Sequence, residues 1–329
     1  ELLALKLRTK YSRLSEFTGL HLFVVTLRCE HSCPYCQVSR QSEDTLRYDM
    51  SSEIALGALD LTFRSPSQSI KIEFPGGEPL LNFDLIKYIV FEAKKRNQHS
   101  SKNLAFVIAT NLALINHDIL EFCREHSILI STSLDGPQAL HDANRPRPGN
   151  NSYEKTIEGI KIVREMLGRD QVSALMTTTE ASLDCVEDII DEYLAQDFKG
   201  IFLRPLSPYG FAIKTKAYRA YNAGQWLEFY KQGLHYIIEL NRRGIEFMPS
   251  KQREIFIQFN QITDALVIAA VFWFSHALRE QLAFLYPMHW TLIAPFRVYK
   301  WLYLILLPLF PFLLDLNGFY TRPYGHRYP

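Results

Sequence analysis

Three cysteines crowd into Cys29-Glu30-His31-Ser32-Cys33-Pro34-Tyr35-Cys36, and thiolates separated by three and then two residues can converge from one loop on a single inorganic centre. A structural zinc ion takes four protein ligands, and an iron–sulfur cluster normally takes four cysteines. Three leave one coordination position open. His31 could supply a fourth ligand, but only by folding back within the same short loop. On spacing alone, a zinc knuckle and an iron–sulfur site with one open iron both fit. Two other stretches stand out: Pro75-Gly76-Gly77-Glu78-Pro79, and Ser133-Leu134-Asp135-Gly136-Pro137 with His141, Asp142 and Arg145 behind it. Taken by itself, the glycine pair reads equally well as an ordinary strand-to-helix turn.

Such groups need a frame, and the sequence up to residue 252 alternates β-branched runs with amphipathic stretches, the pattern of βα units on a parallel sheet. Strands are expected at His21–Leu27, Ser69–Phe74, Asn103–Thr110, Ile128–Leu134, Val172–Thr179 and Gly200–Pro205. Helices are expected after Ser51 and Ser52, with Ile54, Ala58 and Leu61 inward, and after Ser152, with Ile157, Ile160, Val163 and Leu167 inward. A third is capped by Asp184, with Val186, Ile189, Ile190, Tyr193 and Leu194 on one face. The fold class is α/β, a partial (β/α)6 barrel, with an open doubly wound sheet as the alternative. A barrel site lies at the carboxyl ends of its strands. The cysteines follow strand one, Gly76–Glu78 follow strand two, Ser133 closes strand four, and Arg204-Pro205-Leu206 close strand six.

Lys and Arg total 36 against 35 Asp and Glu, so nothing in the charge balance points to nucleic acid or to an anionic surface. Five cysteines in 329 residues are too few and too unevenly placed for a secreted disulfide framework, which suits a reducing, cytoplasmic setting. No signal peptide is visible. A composition break near residue 252 suggests three parts: a leader segment at 1–15, a core at 16–252 and a tail at 253–329. The tail holds only six Lys or Arg and four Asp or Glu, and its runs Ala265–Leu278 and Trp301–Leu314 carry no charge. Each run is shorter than the ~20 apolar residues that span a bilayer. Tolerating Asp264 extends the first to Ile255–Leu278, long enough to cross. With Trp273, Trp290, Tyr299, Trp301 and Tyr303 near the run ends, membrane contact through residues 255–319 is expected, with helices packed on the barrel as the alternative.

The spacing CxxxCxΦC after the first strand, with Tyr35 before the third cysteine, together with Gly76-Gly77-Glu78-Pro79 after the second, resembles the radical S-adenosylmethionine (SAM) superfamily. The resemblance implies a [4Fe–4S] cluster on Cys29, Cys33 and Cys36, with its open iron chelated by the amino and carboxylate groups of SAM. Gly76 and Gly77 would let backbone carbonyls approach the SAM ammonium, and Glu78 would offer it a negative charge. The Ser133 segment, with Arg145 twelve residues on, resembles the branch that modifies peptides and sulfatases. There the serine and arginine contact SAM. Asp135 reads as a ribose ligand or as a turn former, and Leu206 as an apolar contact to adenosine. Thr110-Asn111-Leu112 departs from that branch's usual Thr-Asn-Gly, which puts the loop's backbone in question.

What the resemblance implies is reductive cleavage of SAM to a 5′-deoxyadenosyl radical that abstracts hydrogen from a peptide or protein, with a reductant such as a flavodoxin or ferredoxin. Cys36–Ser42 and Ile70–Phe74 further resemble the His-Xaa-Ser system radical SAM maturase, over roughly residues 15–250. Cys123 and Cys185 read as inert thiols, and no cysteine follows Cys185. The branch's cysteine-rich SPASM or twitch extension is therefore missing, so the chain reads as truncated. The tail is similar to the membrane portion of polyprenyl-phosphate sugar transferases. Two rival readings are an inactive barrel serving as a membrane-tethered interaction module and a fusion with a glycan-synthesis membrane fragment.

Overall fold

Ile70, Ile72 and Phe74 alternate with Ser69, Lys71 and Glu73, so β2 (Ser69–Phe74) buries one face under helices and leaves the other open. At the centre of β3 (Asn103–Ala109) the consecutive Phe106, Val107 and Ile108 are all buried, and the alternation recurs in β4 (Ile128–Ser133), where Ile128, Ile130 and Thr132 are buried. The computed structural model describes residues 18–249. In it β1 (Leu20–Leu22), β2, β3, β4 and β5 (Val172–Leu175) form one parallel sheet in the order β1-β2-β3-β4-β5. That order never reverses, so there is no topological switch point and the doubly wound alternative falls. The chain forms an α/β partial barrel with a consecutively wound parallel sheet.

Between the strands run α1 (Thr45–Tyr48), α2 (Ser52–Phe63), α3 (Phe83–Ser100), α4 (His117–Glu125), α5 (Gln138–Asn144), α6 (Ser152–Leu167) and α7 (Val186–Ala195). Beyond β6 (Gly200–Ile201) come α8 (Phe211–Lys214) and α9 (Ala223–Arg242). Three strands are markedly shorter than expected, the fifth ending at Leu175 rather than Thr179. After Leu22 the first leaves its ladder with β2, because its backbone next bonds the 41–50 segment: Met50 N–H donates to Val25 O at 2.9 Å and Gln41 N–H to Leu27 O at 2.8 Å. The sixth is only Gly200–Ile201, tied to the segment after β5 by Thr178 N–H on Arg204 O at 2.8 Å. It pairs instead with β7 (Met248–Pro249), whose brevity left no periodic signal.

Helix details also differ from the sequence pattern. Ser51 does cap α2, accepting from Ile54 N–H, but Ala55, Leu59 and Thr62 are the buried positions while Ile54 and Leu61 are exposed. The run Ser52–Phe63 is apolar on two faces, so periodicity alone could not choose between them. The cap of α7 is Cys185, not Asp184. No helix among the described residues is long and apolar enough to cross a membrane, and the leader at 1–15 and the apolar runs of 255–319 lie outside the described residues.

Phe74 holds the sheet centre. Its ring lies 6.4 Å from Phe106 in a stacked pair and 6.2 Å from Phe23 edge-on. Phe74→Ala should cost about 3–5 kcal/mol in denaturant unfolding, whereas Leu61→Ala, on a side chain 66% exposed, should change stability little.

Candidate functional site

The cysteine loop has no ladder of its own and is shaped by neighbours at the carboxyl ends of the strands. Before it, the Arg28 guanidinium donates twice to Asp49, from Nε and Nη2 at 2.8 Å each, and from Nη2 to Leu81 O at 2.8 Å. Beneath it run Gly76 and Gly77. A Cβ on Gly77 would stand 2.0 Å from Arg28 O, and one on Gly76 would stand 2.6 Å from Thr26 O. The glycines therefore let the loop after β2 press against the backbone that leads into Cys29, an approach sealed by Glu78 N–H on Arg28 O at 2.7 Å. Beyond the third cysteine, Cys36 O accepts Phe211 N–H at 2.8 Å, and Gly210, at φ +57°, leaves room for that contact.

Glu78 turns its carboxyl inward. Wholly buried, it accepts from Leu80 N–H at 3.1 Å, the Thr110 hydroxyl at 2.7 Å and Asn111 N–H at 2.9 Å, joining the loop after β2 to the loop after β3. Burial, aided by the Glu30 charge, pushes its carboxyl up to about 8. Leu112, where glycine would be usual, keeps a left-handed backbone at φ 67°. Its buried side chain packs on Gly159 of α6, where a Cβ would come within 2.6 Å of the Leu112 Cβ. The glycine saved at 112 is needed at 159.

Asp135 is the meeting point of the site. Its carboxylate is wholly buried; Oδ2 accepts from the Tyr35 hydroxyl and from Arg145 Nε at 3.0 Å, and Oδ1 from Arg145 Nη2 at 3.2 Å and Thr177 N–H at 3.1 Å. All its lone-pair directions are taken within the protein, which leaves none for a ribose hydroxyl. Burial opposes its ionisation, but Arg145 outweighs this and holds Asp135 below the usual carboxylate range. The Arg145 guanidinium also lies 5.5 Å from the Tyr35 ring centre. Ser32 N–H donates to Pro146 O at 2.7 Å, so both the start and the end of the cysteine loop are tied to the segment after β4.

Cys29 Sγ, a Glu30 carboxylate oxygen and a His31 ring nitrogen lie within 4.8 Å of one another. His31 is nevertheless not free to bind a metal: Nε2 meets Ser152 Oγ at 2.9 Å and Nδ1 meets Asn111 Nδ2 at 2.8 Å, and the side chain is buried. The three loop cysteines are free thiols, half-buried. Burial pushes Cys29 well up, with the Glu30 charge adding to it, and pushes Cys33 to about 11 although Arg145 pulls the other way. Both are thiols at neutral pH until a cation displaces the proton. Ser133 is half-buried as the last residue of β4, and Leu206, beyond β6, donates its N–H to the Tyr221 hydroxyl at 2.7 Å. Cys123 lies in the core on α4, and Cys185 donates to Ala181 O and Ser182 O. Neither lies on the cysteine loop.

The sequence pattern of the Radical SAM superfamily matches residues 23–193, over half of the chain. The chain belongs to the radical SAM superfamily. It is 33% identical over 190 residues to an uncharacterized protein of Methanocaldococcus jannaschii, covering 57% of this chain and 63% of that one. It is 26% identical over 185 residues to the cysteine-type anaerobic sulfatase-maturating enzyme of Clostridium novyi, covering 55% of this chain and 48% of that one. The solved structure of native anSMEcpe with bound AdoMet and Cp18Cys peptide shares the fold, with a TM-score of 0.58 at 17% identity over 70% of this chain and 62% of that one. The chain thus spans about half to two thirds of the length of these relatives. Membership brings the superfamily's cofactors, a [4Fe–4S] cluster and SAM. The donor set fits: three soft thiols on one loop, with His31 held in hydrogen bonds, suit a four-iron cluster with an open iron better than structural zinc.

Ser152 and Thr177 carried no site reading, and Thr110, Asn111 and His141 stood in the motifs without a role of their own. His141 lies one helical turn before Arg145, a spacing that could have flagged it; Ser152 had the look of a cap. Glu78 yields a pH test. Its folded-state value lies above the ordinary 4.5, so its contribution to stability is full below that value and fades as pH rises toward about 8. Unfolding free energy of the metal-free chain should carry a component that falls over this window and vanishes in Glu78→Gln. A wild-type profile matching that of Glu78→Gln would show Glu78 ionised throughout.

Proposed function

We propose that the chain is a peptide-modifying radical SAM enzyme in which Cys29, Cys33 and Cys36 hold the cluster. The observation that carries this is the cysteine loop itself: three half-buried free thiols, with His31 withdrawn into hydrogen bonds and Tyr35 anchored to Asp135. When bound, the cluster and SAM supply reductive cleavage of SAM and the hydrogen abstraction that follows. The protein holds and orients. Asp135 engages Nε and Nη2 of Arg145, so Nη1 is the donor proposed for the SAM carboxylate, and Ser133 at the end of β4 is proposed as a second contact. The loop of Gly76, Gly77 and Glu78 meets the SAM ammonium through its backbone, and Leu206 offers adenosine an apolar contact. Asp135 and Tyr35 set the position of Arg145.

A peptide or protein substrate is supported by the likeness to a sulfatase-maturating enzyme and to anSMEcpe with its bound peptide. The open face of the partial barrel could receive an extended segment. The electron would come from a flavodoxin- or ferredoxin-type reductant. Membrane contact through residues 255–319 rests on the apolar runs of the sequence. An inert barrel used as an interaction module would have no need of all three thiols.

Anaerobic reconstitution should give about four iron and four sulfide per chain, and dithionite with SAM should release 5′-deoxyadenosine. Cys29→Ala, Cys33→Ala or Cys36→Ala should abolish both; Cys123→Ala and Cys185→Ala should keep both. Zinc in place of iron would sink the assignment. Efficient turnover of a free sugar or nucleotide, without response to any His- and Ser-containing peptide, would reject the substrate class.

A further inference from the structure

A hydrogen-bonded cluster lies behind the cysteine loop. His31 Nε2 meets Ser152 Oγ at 2.9 Å, His141 Nε2 meets the same Oγ at 3.2 Å, and Thr156 Oγ1 lies 3.5 Å from His141 Nε2. Thr156 donates to Asn111 O at 3.3 Å, and the Asn111 amide returns to His31 Nδ1 at 2.8 Å. His31, His141, Ser152 and Thr156 are all buried. These side chains come from the cysteine loop, α5, α6 and the loop after β3, segments far apart in sequence.

The proton positions follow from the partners. Asn111 Oδ1 accepts Ala113 N–H, so its Nδ2 donates, one hydrogen to Glu30 Oε1 and the other to His31 Nδ1. His31 Nδ1 also lies 3.3 Å from Glu30 Oε1, and its Nε2 faces Ser152. Asp135 N–H donates to His141 Nδ1 at 3.3 Å, which places the His141 hydrogen on Nε2, also directed at Ser152. Ser152 Oγ accepts from His141 and lies within hydrogen-bond distance of His31 Nε2. The cysteine loop therefore reaches Asp135 by two routes: from Tyr35 to its carboxylate, and from His31 through Ser152 and His141 to its backbone N–H.

We propose that His141 is a positioning residue for the cysteine loop, acting through Ser152 to fix His31 and hence the Cys29–Cys33 segment. Apolar side chains could fill the same volume without any need for partners, whereas buried polar groups must meet theirs, which restricts the loop geometry. His141 is also one turn from Arg145, whose N–H donates to His141 O at 2.8 Å, so one short helix sets both the loop and the arginine. This inference rests on the reading that the three cysteines hold the cluster.

The test compares wild type, Ser152→Ala, His141→Phe and His141→Gln in the full chain. Phe keeps a ring for the packing against Tyr153 but has no nitrogen; Gln restores an N–H donor near the place of Nε2. Hydrogen exchange of segment 29–36 is read in the metal-free chain. After anaerobic reconstitution, iron content, the electron paramagnetic resonance signal of the reduced cluster with and without SAM, and SAM affinity are read. Ser152→Ala and His141→Phe should speed exchange of 29–36 while leaving β2 and β3 protected. Both should weaken SAM binding about 10–100-fold and change the SAM-dependent signal, with His141→Gln recovering most of the loss. Unchanged exchange and unchanged SAM response in both variants would overturn the proposal, as would His141→Gln failing as badly as His141→Phe. If wild-type protein binds no four-iron cluster, the cluster reading fails instead, and exchange in the metal-free chain still decides whether His141 holds the loop.

Discussion

Three thiols that share one inorganic centre must be held by something other than the short loop that carries them. Here that support is the buried carboxylate of Asp135. It sits at the end of β4, takes the Tyr35 hydroxyl from the cysteine loop and pairs in a two-point contact with Arg145. Breaking a buried pair of this kind leaves an uncompensated charge, which costs roughly 3–5 kcal/mol. The pair is correspondingly hard to dissolve, and the loop inherits its rigidity. Arg28 on Asp49 at the loop's entry and Phe211 on Cys36 at its exit complete the support.

The sheet explains why these groups meet. Parallel strands wound in consecutive order put every strand's carboxyl end on one side, so residues far apart in sequence share a rim. Close approach there is made by small residues. Gly76 and Gly77 bring the loop after β2 against the backbone of 26–28, and Glu78 carries the connection on to Thr110 and Asn111. The motif that reads as a ligand contact is also a structural joint between the first three strands.

Much of this was legible in the sequence. The spacing of Cys29, Cys33 and Cys36 announces a metal site because covalent distance limits what a loop can gather. The alternation in Ser69–Phe74 announces a strand because only a sheet has period two. What could not be read was partnership. Nothing in the sequence says that Ser152 would bridge two histidines, that Asp135 would be saturated by protein donors, or that Gly159 would receive Leu112. These are tertiary contacts, and their residue types have common local explanations: a cap, a turn, a helix glycine. The short pairing of β6 with β7 escaped for a related reason, since a two-residue strand has no period to detect.

The central claim is that this frame presents three thiolates and leaves a fourth position open. Mössbauer spectroscopy of the isotopically enriched, anaerobically reconstituted full chain tests it most directly. The account predicts a four-iron cluster in which a single iron changes its signal when SAM is added. A cluster whose irons all ignore SAM, or iron bound without a cluster, would contradict it.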